Sequence, residues 1–157
     1  MRTIPFALLF ACSLQDAGLP PPPEPLYETR AEHDPNGIGK FFLGREIACV
    51  MGAGGIAWLE RTEREEEEQP AKVIEALELK GDEVVADLGA GSGYFAFRLA
   101  PRARRVIAVD VQDEMVRTME RRVRELKLTN VEIVKGQEAD PGLPENGVDL
   151  ILMVDVY

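Results

Sequence analysis

Apolar positions in the second half of the chain follow two periods, and segments of the two kinds alternate along the sequence. Four short runs rich in aliphatic residues predict strands, at residues 84–86, 105–109, 130–134 and 148–154. Before and between them, apolar residues at helical spacing predict helices that begin near residues 70, 95 and 113. This alternation predicts an α/β domain over residues 70–157, with a doubly wound, mostly parallel sheet of about four strands.

A glycine-rich turn connects the first predicted strand to the helix that follows it. The strand ends in Asp87, and Gly89, Gly91 and Gly93 follow at alternate positions. Glycine is favoured where a backbone turns sharply and approaches a ligand closely, and the free N–H groups of the next helix favour anionic groups. The turn therefore predicts a nucleotide-like ligand.

The residues around this turn indicate which kind of nucleotide it binds. A dinucleotide fingerprint requires a small residue where this chain has Tyr94, so that pattern fails. The carboxylate of Asp87 would repel a pyrophosphate but suits a ligand that carries an ammonium group. In this acid-x-Gly-x-Gly-x-Gly turn the chain resembles the class I S-adenosylmethionine (SAM)-dependent methyltransferases. The resemblance implies a Rossmann-like fold, SAM as cofactor, and a cofactor loop that includes Ala90.

Polar residues after the second and third strands extend the expected cofactor site. Asp110 ends the second strand, 23 residues after Asp87, where one carboxylate can accept hydrogen bonds from both ribose hydroxyls. A helix N-terminal acid is the alternative role for Asp110. The resemblance adds the neighbouring Val111 to the site. It also implies that a polar residue after the third strand binds the adenine amino group, with Gln137 and Glu138 as candidates.

The last residues of the chain are the candidates for positioning a substrate. In the family that this chain resembles, the tip of the fourth strand lies beside the methionine end of SAM, which implies Asp155 and Tyr157. These residues do not match the Asn-Pro-Pro-Tyr signature of enzymes that methylate amino groups of nucleic acid and protein. The resemblance therefore implies direct methyl transfer to a small-molecule acceptor, or less readily to a protein. Asp155 is also the nearest candidate for a general base.

Two other functions stay open on the sequence alone. A NAD-type oxidoreductase would share the glycine turn and the acid at Asp110, although Tyr94 argues against it. A non-catalytic exported protein could keep the fold without the cofactor. The sheet of the family has more strands than the four predicted here. The sequence is therefore expected to be a fragment cut inside the catalytic domain, after the fourth strand, and inactive in isolation.

The first 25 residues have the composition of a targeting segment. They combine Arg2, a short apolar run and a proline-rich stretch, which predicts an export signal followed by an extended spacer. The residues that end in Cys12 resemble a bacterial lipobox. The sequence therefore predicts an exported lipoprotein that is attached to a membrane through Cys12. A disordered tail on a cytoplasmic protein is the alternative.

Residues 26–69 are predicted to form a helical lead-in segment. Residues 41–51 can form one helix with an apolar face, followed by the glycines at residues 52–55. Residues 52–57 match G-x-G-x-x-A literally, but no second strand with an acid follows at the required distance. A break between two helices is the preferred interpretation. Trp58 is expected in the core, and residues 61–68 on a solvated charged face.

Charge and side-chain chemistry restrict the classes of partner that the protein is expected to bind. The formal net charge of −10, without a long basic face, argues against the phosphate backbone of a nucleic acid as the main partner. Two cysteines without metal-ligand spacing and a single histidine argue against a metal site. The charge thus agrees with the small-molecule substrate that the resemblance implies.

Overall fold

The computed structural model describes residues 26–137 and 139–156. The predicted export signal with Cys12, Glu138 and Tyr157 lie outside these described residues. The chain divides into two compact units, Met1–Cys49 and Val50–Tyr157, and each contains a β-sheet of its own.

The described part of the first unit is a three-stranded antiparallel sheet. Its strands are β1 (Tyr27–Thr29), β2 (Gly37–Phe42) and β3 (Arg45–Ala48), in the order β1-β2-β3. Residues along β2 alternate between buried and exposed, which is the two-residue period of a strand. The helix predicted over residues 41–51 is therefore wrong, and the lead-in segment is not helical up to Ala48.

A tight turn between β2 and β3 explains why these residues form a hairpin. Its two central residues, Leu43 and Gly44, both have positive φ, 49° and 80°, as the centre of a type I′ turn requires. Phe42 pairs with Arg45 across the turn. The apolar residues that suggested one helical face lie in β3 and after it; they are Ile47, Val50 and Met51. Their spacing is compatible with a helix, but residues 37–42 and 45–48 pair as an antiparallel hairpin.

The glycine-rich stretch after β3 opens the second unit with short helical segments. A 3₁₀ turn spans Ala53–Gly55, followed by α1 (Ile56–Leu59) and α2 (Arg64–Glu67). The interpretation of these glycines as a break between two helices is wrong in its first half, because a strand precedes them. That strand is antiparallel to its neighbour, so the literal G-x-G-x-x-A match has no parallel βαβ unit around it.

Four parallel strands form the sheet of the second unit, as the apolar runs predict. The sheet has the order β6-β5-β4-β7, and every neighbouring pair is parallel. Its elements in chain order are α3 (Pro70–Ala76), β4 (Val84–Leu88), α4 (Tyr94–Leu99), β5 (Arg105–Asp110), α5 (Asp113–Leu126), β6 (Val131–Lys135) and β7 (Leu150–Met153). The α/β, Rossmann-like fold class is therefore confirmed.

Apolar side chains cover both faces of the central strands of this sheet. On one face, α3, α4 and α5 contribute Ile74, Leu99 and Met119 to a buried cluster with the central strands. On the other face, Val84 belongs to a buried cluster against which Leu143, from the segment between β6 and β7, packs. The strand order reverses at β4, with β5 on one side and β7 on the other. Open α/β sheets bind ligands at the carboxyl ends of the strands beside such a reversal.

β7 is the outer strand of the described sheet. Leu152 is buried, whereas Ile151 and Met153 are 49% and 53% exposed. One face of β7, which carries Ile151 and Met153, is therefore apolar and exposed.

Candidate functional site

The glycine turn between β4 and α4 lies at the carboxyl edge of the sheet, beside the end of β5. The N–H groups of Gly89 and Ala90 both donate to the carbonyl oxygen of Val109, at 2.9 Å. Gly89 and Gly93 have positive φ, 75° and 86°. A Cβ on Gly89 would also lie 2.3 Å from Cγ2 of Val156. Backbone conformation and space therefore both require glycine at position 89.

Asp87 lies at the base of the turn and exposes only 3% of its surface. Its Oδ2 atom has no hydrogen-bond partner among the described residues. Burial raises the pKa of Asp87 to about 7; the hydrogen bond from the Ala96 N–H opposes this shift, and the negative charge of Asp110 adds to it. A buried carboxyl oxygen without a partner can be satisfied by a cationic or hydrogen-donating group of a ligand.

Asp110 ends β5 and accepts hydrogen bonds from the backbone of two neighbouring segments. Its Oδ2 accepts the N–H of Gly91 at 2.9 Å, and its Oδ1 accepts the N–H of Gln112 at 2.8 Å. Because each carboxylate oxygen has two lone pairs, each can accept one further hydrogen bond. Asp87 pairs with Ala108, two residues before Asp110, so the two acids lie at the same edge of the sheet.

The segment after β6 reaches this edge as well. The N–H of Gly136 donates to the backbone oxygen of Asp110 at 3.0 Å, which brings Gln137 close to that contact. Gln137 is exposed, and its N–H donates to the backbone oxygen of Asp140 at 2.7 Å. Val111 directly follows β5 and exposes 44% of its surface. An exposed apolar side chain and an exposed amide thus flank the end of β5.

Asp155 follows β7, which is the neighbour of β4 on the side away from β5. It is exposed and has a positive φ of 55°, which is uncommon for a residue other than glycine. The next residue, Val156, contacts Gly89, so the tip of the strand lies against the glycine turn.

Residues 51–68, here called the cover segment, also contact the turn. Cδ1 of Leu59 lies 3.2 Å from the position of a Cβ on Gly91. The side-chain amide of Gln112 donates to the backbone oxygen of Met51 at 3.0 Å. The cover segment therefore touches both the glycine turn and the segment after β5.

Two residues of the cover segment differ from the sequence expectation. Trp58 is 49% exposed rather than buried in the core, and the Arg61 guanidinium lies 4.0 Å from its ring centroid. Arg64, expected on a solvated face, is 3% exposed and lies 4.2 Å from the ring centroid of Tyr94. Its guanidinium also donates to Glu68. In a run of charged residues, the sequence does not reveal which one packs against an aromatic ring.

Ser92 is a site residue that the sequence reasoning passed over. It is completely buried in the middle of the glycine turn, and its hydroxyl donates to the Glu60 carboxylate. The sequence could have indicated Ser92 through its position between two glycines of the motif, where a polar side chain has few local hydrogen-bond partners.

A cavity of about 310 Å³ lies at the opposite edge of the sheet, at the starts of β4 and β5 and just before β6. Its lining residues are Val84, Arg104, Arg105, Thr129 and Asn130. Ligands of open α/β sheets bind outside the carboxyl ends of the strands, so this cavity is not the nucleotide site.

Within residues 26–137 and 139–156, no group of three or more histidine, cysteine, aspartate or glutamate residues is placed to hold a metal ion. None of the helices in this described part of the chain has the length and apolar character needed to cross a membrane.

The geometry of the second unit defines a class of protein. A parallel sheet that reverses its strand order beside a glycine turn, with an acid at the end of the adjacent strand, is a Rossmann-like nucleotide-binding arrangement. Residues 85–157 match the family described as methyltransferase domain. This match confirms the resemblance to the class I SAM-dependent methyltransferases seen in the sequence, and it implies SAM as the cofactor.

Individual relatives agree with this assignment. A crystal structure of a SAM-dependent methyltransferase from Aquifex aeolicus has a TM-score of 0.61 and 35% identity, and covers 66% of this chain and 57% of that one. An uncharacterized RNA methyltransferase of Clostridium tetani is 32% identical over 85 residues, 53% of this chain and 18% of that protein. A probable cobalt-precorrin-6B C(15)-methyltransferase (decarboxylating) of Methanocaldococcus jannaschii is 34% identical over 74 residues, 47% of this chain and 40% of that protein. The chain thus spans less than half the length of both curated relatives.

The residues at the carboxyl edge fit this cofactor. SAM carries an ammonium group, a ribose and an adenine but no phosphate. The unpartnered Oδ2 of Asp87 complements a cation, whereas a carboxylate in that position would repel the pyrophosphate of NAD. Family and site chemistry therefore both favour SAM over the nicotinamide alternative.

Proposed function

We propose that the protein is a SAM-dependent methyltransferase that acts on a small-molecule acceptor. The observation that carries the proposal is the buried, unpartnered carboxyl oxygen of Asp87 next to the glycine turn. SAM supplies an ammonium group to pair with it and a methyl group that the adjacent sulfonium makes strongly electrophilic. The protein chiefly has to align the acceptor with this methyl group and exclude water.

Cofactor binding in this proposal rests on the two acids and the turn between them. Asp87 balances the ammonium group, and Asp110 accepts hydrogen bonds from the ribose hydroxyls with the lone pairs that its backbone contacts leave over. The glycine turn, with Ala90, allows the ligand to approach the backbone closely. Val111 covers the adenine ring, and Gln137 or Glu138 accepts a hydrogen bond from its amino group.

The acceptor side of the proposed site is built from the residues after β7. Asp155 and Tyr157 position the acceptor. If the nucleophile of the acceptor has to be deprotonated, Asp155 accepts that proton. The contact of Val156 with Gly89 supports this, because it keeps the strand tip at the glycine turn.

The charge of the chain supports the proposed class of acceptor. The names of the matched relatives span an RNA and a corrin precursor, so the family alone leaves the acceptor open. The chain has 28 acidic and 18 basic residues, and this excess of negative charge disfavours a polyanionic substrate. A small molecule is therefore proposed first, and a protein side chain second.

Calorimetry with S-adenosylhomocysteine (SAH) tests the cofactor site. Wild type is expected to bind SAH at micromolar concentration, and Asp110→Ala to abolish binding. Glu114→Ala, which removes an exposed acid four residues further along, is the matched control and is expected to bind as wild type does. Binding of NAD instead of SAH would favour the oxidoreductase. Absence of binding to folded wild type would favour the non-catalytic exported protein.

Radioactive methyl transfer tests the acceptor class. The full-length protein is incubated with tritiated SAM and a cell extract, which is then separated into small-molecule, protein and RNA fractions. Label is expected in the small-molecule fraction. Label that ribonuclease releases from the macromolecular fraction would contradict the proposal.

We also propose that the protein is exported and anchored through a lipid on Cys12, on the strength of the lipobox-like residues at positions 9–12. Mass spectrometry of the mature protein is expected to show an N-terminus at a lipidated Cys12, and Cys12→Ser to remain unprocessed. An intact, unlipidated Met1 in the purified wild type would contradict export and favour a cytoplasmic protein.

A further inference from the structure

We propose that Glu60 is a positioning residue for the cofactor: it holds Ser92 and Arg122 together and so fixes the glycine turn in the form that binds SAM. The inference rests on the proposed SAM site. It adds to that site a residue of the cover segment that lies outside the family motif.

Three side chains from distant parts of the chain meet at the glycine turn. Oε1 of Glu60 accepts the Ser92 hydroxyl and Nη1 of Arg122, both at 2.5 Å, and Oε2 of Glu60 accepts Nη2 of Arg122 at 3.2 Å. Nη1 of Arg122 also donates to the backbone oxygen of Ser92 at 2.9 Å. Ser92 is thus held through its side chain and through its backbone.

The composition of the turn makes Ser92 the residue through which it can be tethered. Residues 89–93 read Gly-Ala-Gly-Ser-Gly, so Ser92 carries the one side chain in this stretch that can form a hydrogen bond. Glycines confer conformational freedom that must be lost when a ligand binds. A tether on Ser92 removes part of that freedom in advance and so favours binding.

The ionisation state of Glu60 allows it to accept the hydrogen bonds from Ser92 and Arg122. Burial raises the pKa of Glu60, but the hydrogen bonds from Arg122 and Ser92, together with the charge of Arg122, bring its pKa below the ordinary value of 4.5. Glu60 is therefore a carboxylate at neutral pH and can accept all three hydrogen bonds. Bonds to an ionised acceptor are stronger than those between neutral groups.

The cluster differs from an ordinary surface ion pair. The Glu60 and Arg122 side chains are 27% and 26% exposed, and their shared partner Ser92 is completely buried. Leu59, the residue before Glu60, contacts Gly91, the residue before Ser92. Adjacent residues of the cover segment therefore contact adjacent residues of the turn, which fixes the register between them.

The helix after the turn is held by the same arginine. The Arg122 guanidinium lies 4.8 Å from the ring centroid of Phe97, and a Cβ on Gly93 would lie 2.4 Å from the same ring. Arg122 therefore stabilises both ends of the segment that runs from Ser92 into α4. Loss of Glu60 would leave this half-buried guanidinium without its carboxylate.

Glu60→Gln tests the inference by calorimetry with SAH on the whole chain. The Kd for SAH is expected to rise about tenfold or more, because charge-assisted hydrogen bonds are lost while the motif itself is intact. Glu66→Gln makes the same charge change at an exposed position of the cover segment and is expected to leave the Kd within about twofold of wild type.

Two further measurements separate positioning from a general loss of stability. In a double-mutant cycle with Ser92→Ala, the effects on SAH binding are expected to be less than additive, because both variants break the same tether. Trp58 is the single tryptophan, two residues before Glu60, so its fluorescence anisotropy is expected to fall in Glu60→Gln and not in Glu66→Gln. A purely structural role would lower the unfolding temperature and leave the SAH affinity of the folded protein unchanged.

The outcomes distinguish this inference from the proposed function. Wild-type binding of SAH together with unchanged binding by Glu60→Gln would overturn the inference alone. Absence of binding to wild type would overturn the SAM site and the inference with it. If Glu60→Gln does not fold, Glu60→Asp replaces it. Aspartate keeps the charge but is one methylene too short to reach Ser92 and Arg122 together, so a several-fold rise in Kd is again expected.

Discussion

Replacement of Asp87 by asparagine is expected to remove a pH-dependent loss of stability. The pKa of Asp87 is about 7 in the folded chain, compared with an ordinary value of 3.8 that applies to the unfolded chain. Between these two pH values the folded state binds a proton that the unfolded state has released, so the free energy of unfolding falls as the pH rises. The side-chain amide of asparagine cannot ionise, so this contribution disappears in the variant.

The size of the effect follows from the same two values. A pKa difference of about three units corresponds to about 4 kcal/mol in total, of which about 3 kcal/mol falls between pH 5 and pH 8. Urea denaturation at half-unit steps of pH measures it. Relative to wild type, Asp87→Asn is expected to gain about 3 kcal/mol of stability from pH 5 to pH 8. Asp82→Asn, at an exposed position just before β4, is expected to follow wild type.

The same variant links stability to cofactor binding. At pH 8 Asp87 of the wild type is ionised, and its Oδ2 has no hydrogen-bond partner among the described residues. An ammonium group is the complement of this oxygen, so SAH binding is expected to weaken in Asp87→Asn although the protein becomes more stable. Parallel stability curves for wild type and Asp87→Asn between pH 5 and pH 8 would refute the reasoning. So would undiminished SAH affinity in the variant.

Three further predictions concern the backbone and the core, and urea denaturation checks each. Gly89→Ala is expected to lower the free energy of unfolding by about 1–3 kcal/mol, because its Cβ would meet Val156 at a positive φ. Gly52→Ala, where a Cβ meets open space, is the control, and equal losses in the two variants would contradict the steric argument. Leu43→Asn is expected to raise the free energy of unfolding by about 0.5–1 kcal/mol, because asparagine adopts the left-handed conformation of this turn more readily than leucine does; a loss of stability would argue against the type I′ turn. Leu99→Ala is expected to lower it by about 2–5 kcal/mol, since the side chain is fully buried in the main core cluster, and an unchanged midpoint would place Leu99 outside the cooperative core.

The parallel sheet was predictable because several local signals agreed on it. Each strand is a short apolar run, and Asp87 and Asp110 each mark the carboxyl end of a strand. Parallel strands bring such ends to one edge, so the relative placement of the two acids followed from topology alone. The binding experiments test the roles that are proposed for these two acids.

The antiparallel sheet was missed for a local reason. Its hairpin turns at Leu43-Gly44, which lacks the Asn-Gly or Asp-Gly pair that signals a type I′ turn. The tether at Ser92 was missed for the opposite reason, because its partners are distant. Glu60 and Arg122 lie 32 and 30 residues from Ser92 along the chain, and no short-range pattern connects them.

Electrostatics at the carboxyl edge of the sheet connect the stability of this domain with its choice of cofactor. Asp110 is satisfied by two backbone N–H groups, whereas burial raises the pKa of Asp87 to about 7, so that Asp87 ionises around neutral pH. A phosphate placed here would add negative charge beside both acids. An ammonium group would instead supply the partner that Oδ2 of Asp87 lacks. The preference for a cationic nucleotide and the loss of stability at rising pH are therefore two consequences of one carboxyl group, and a substitution that removes one has to remove the other.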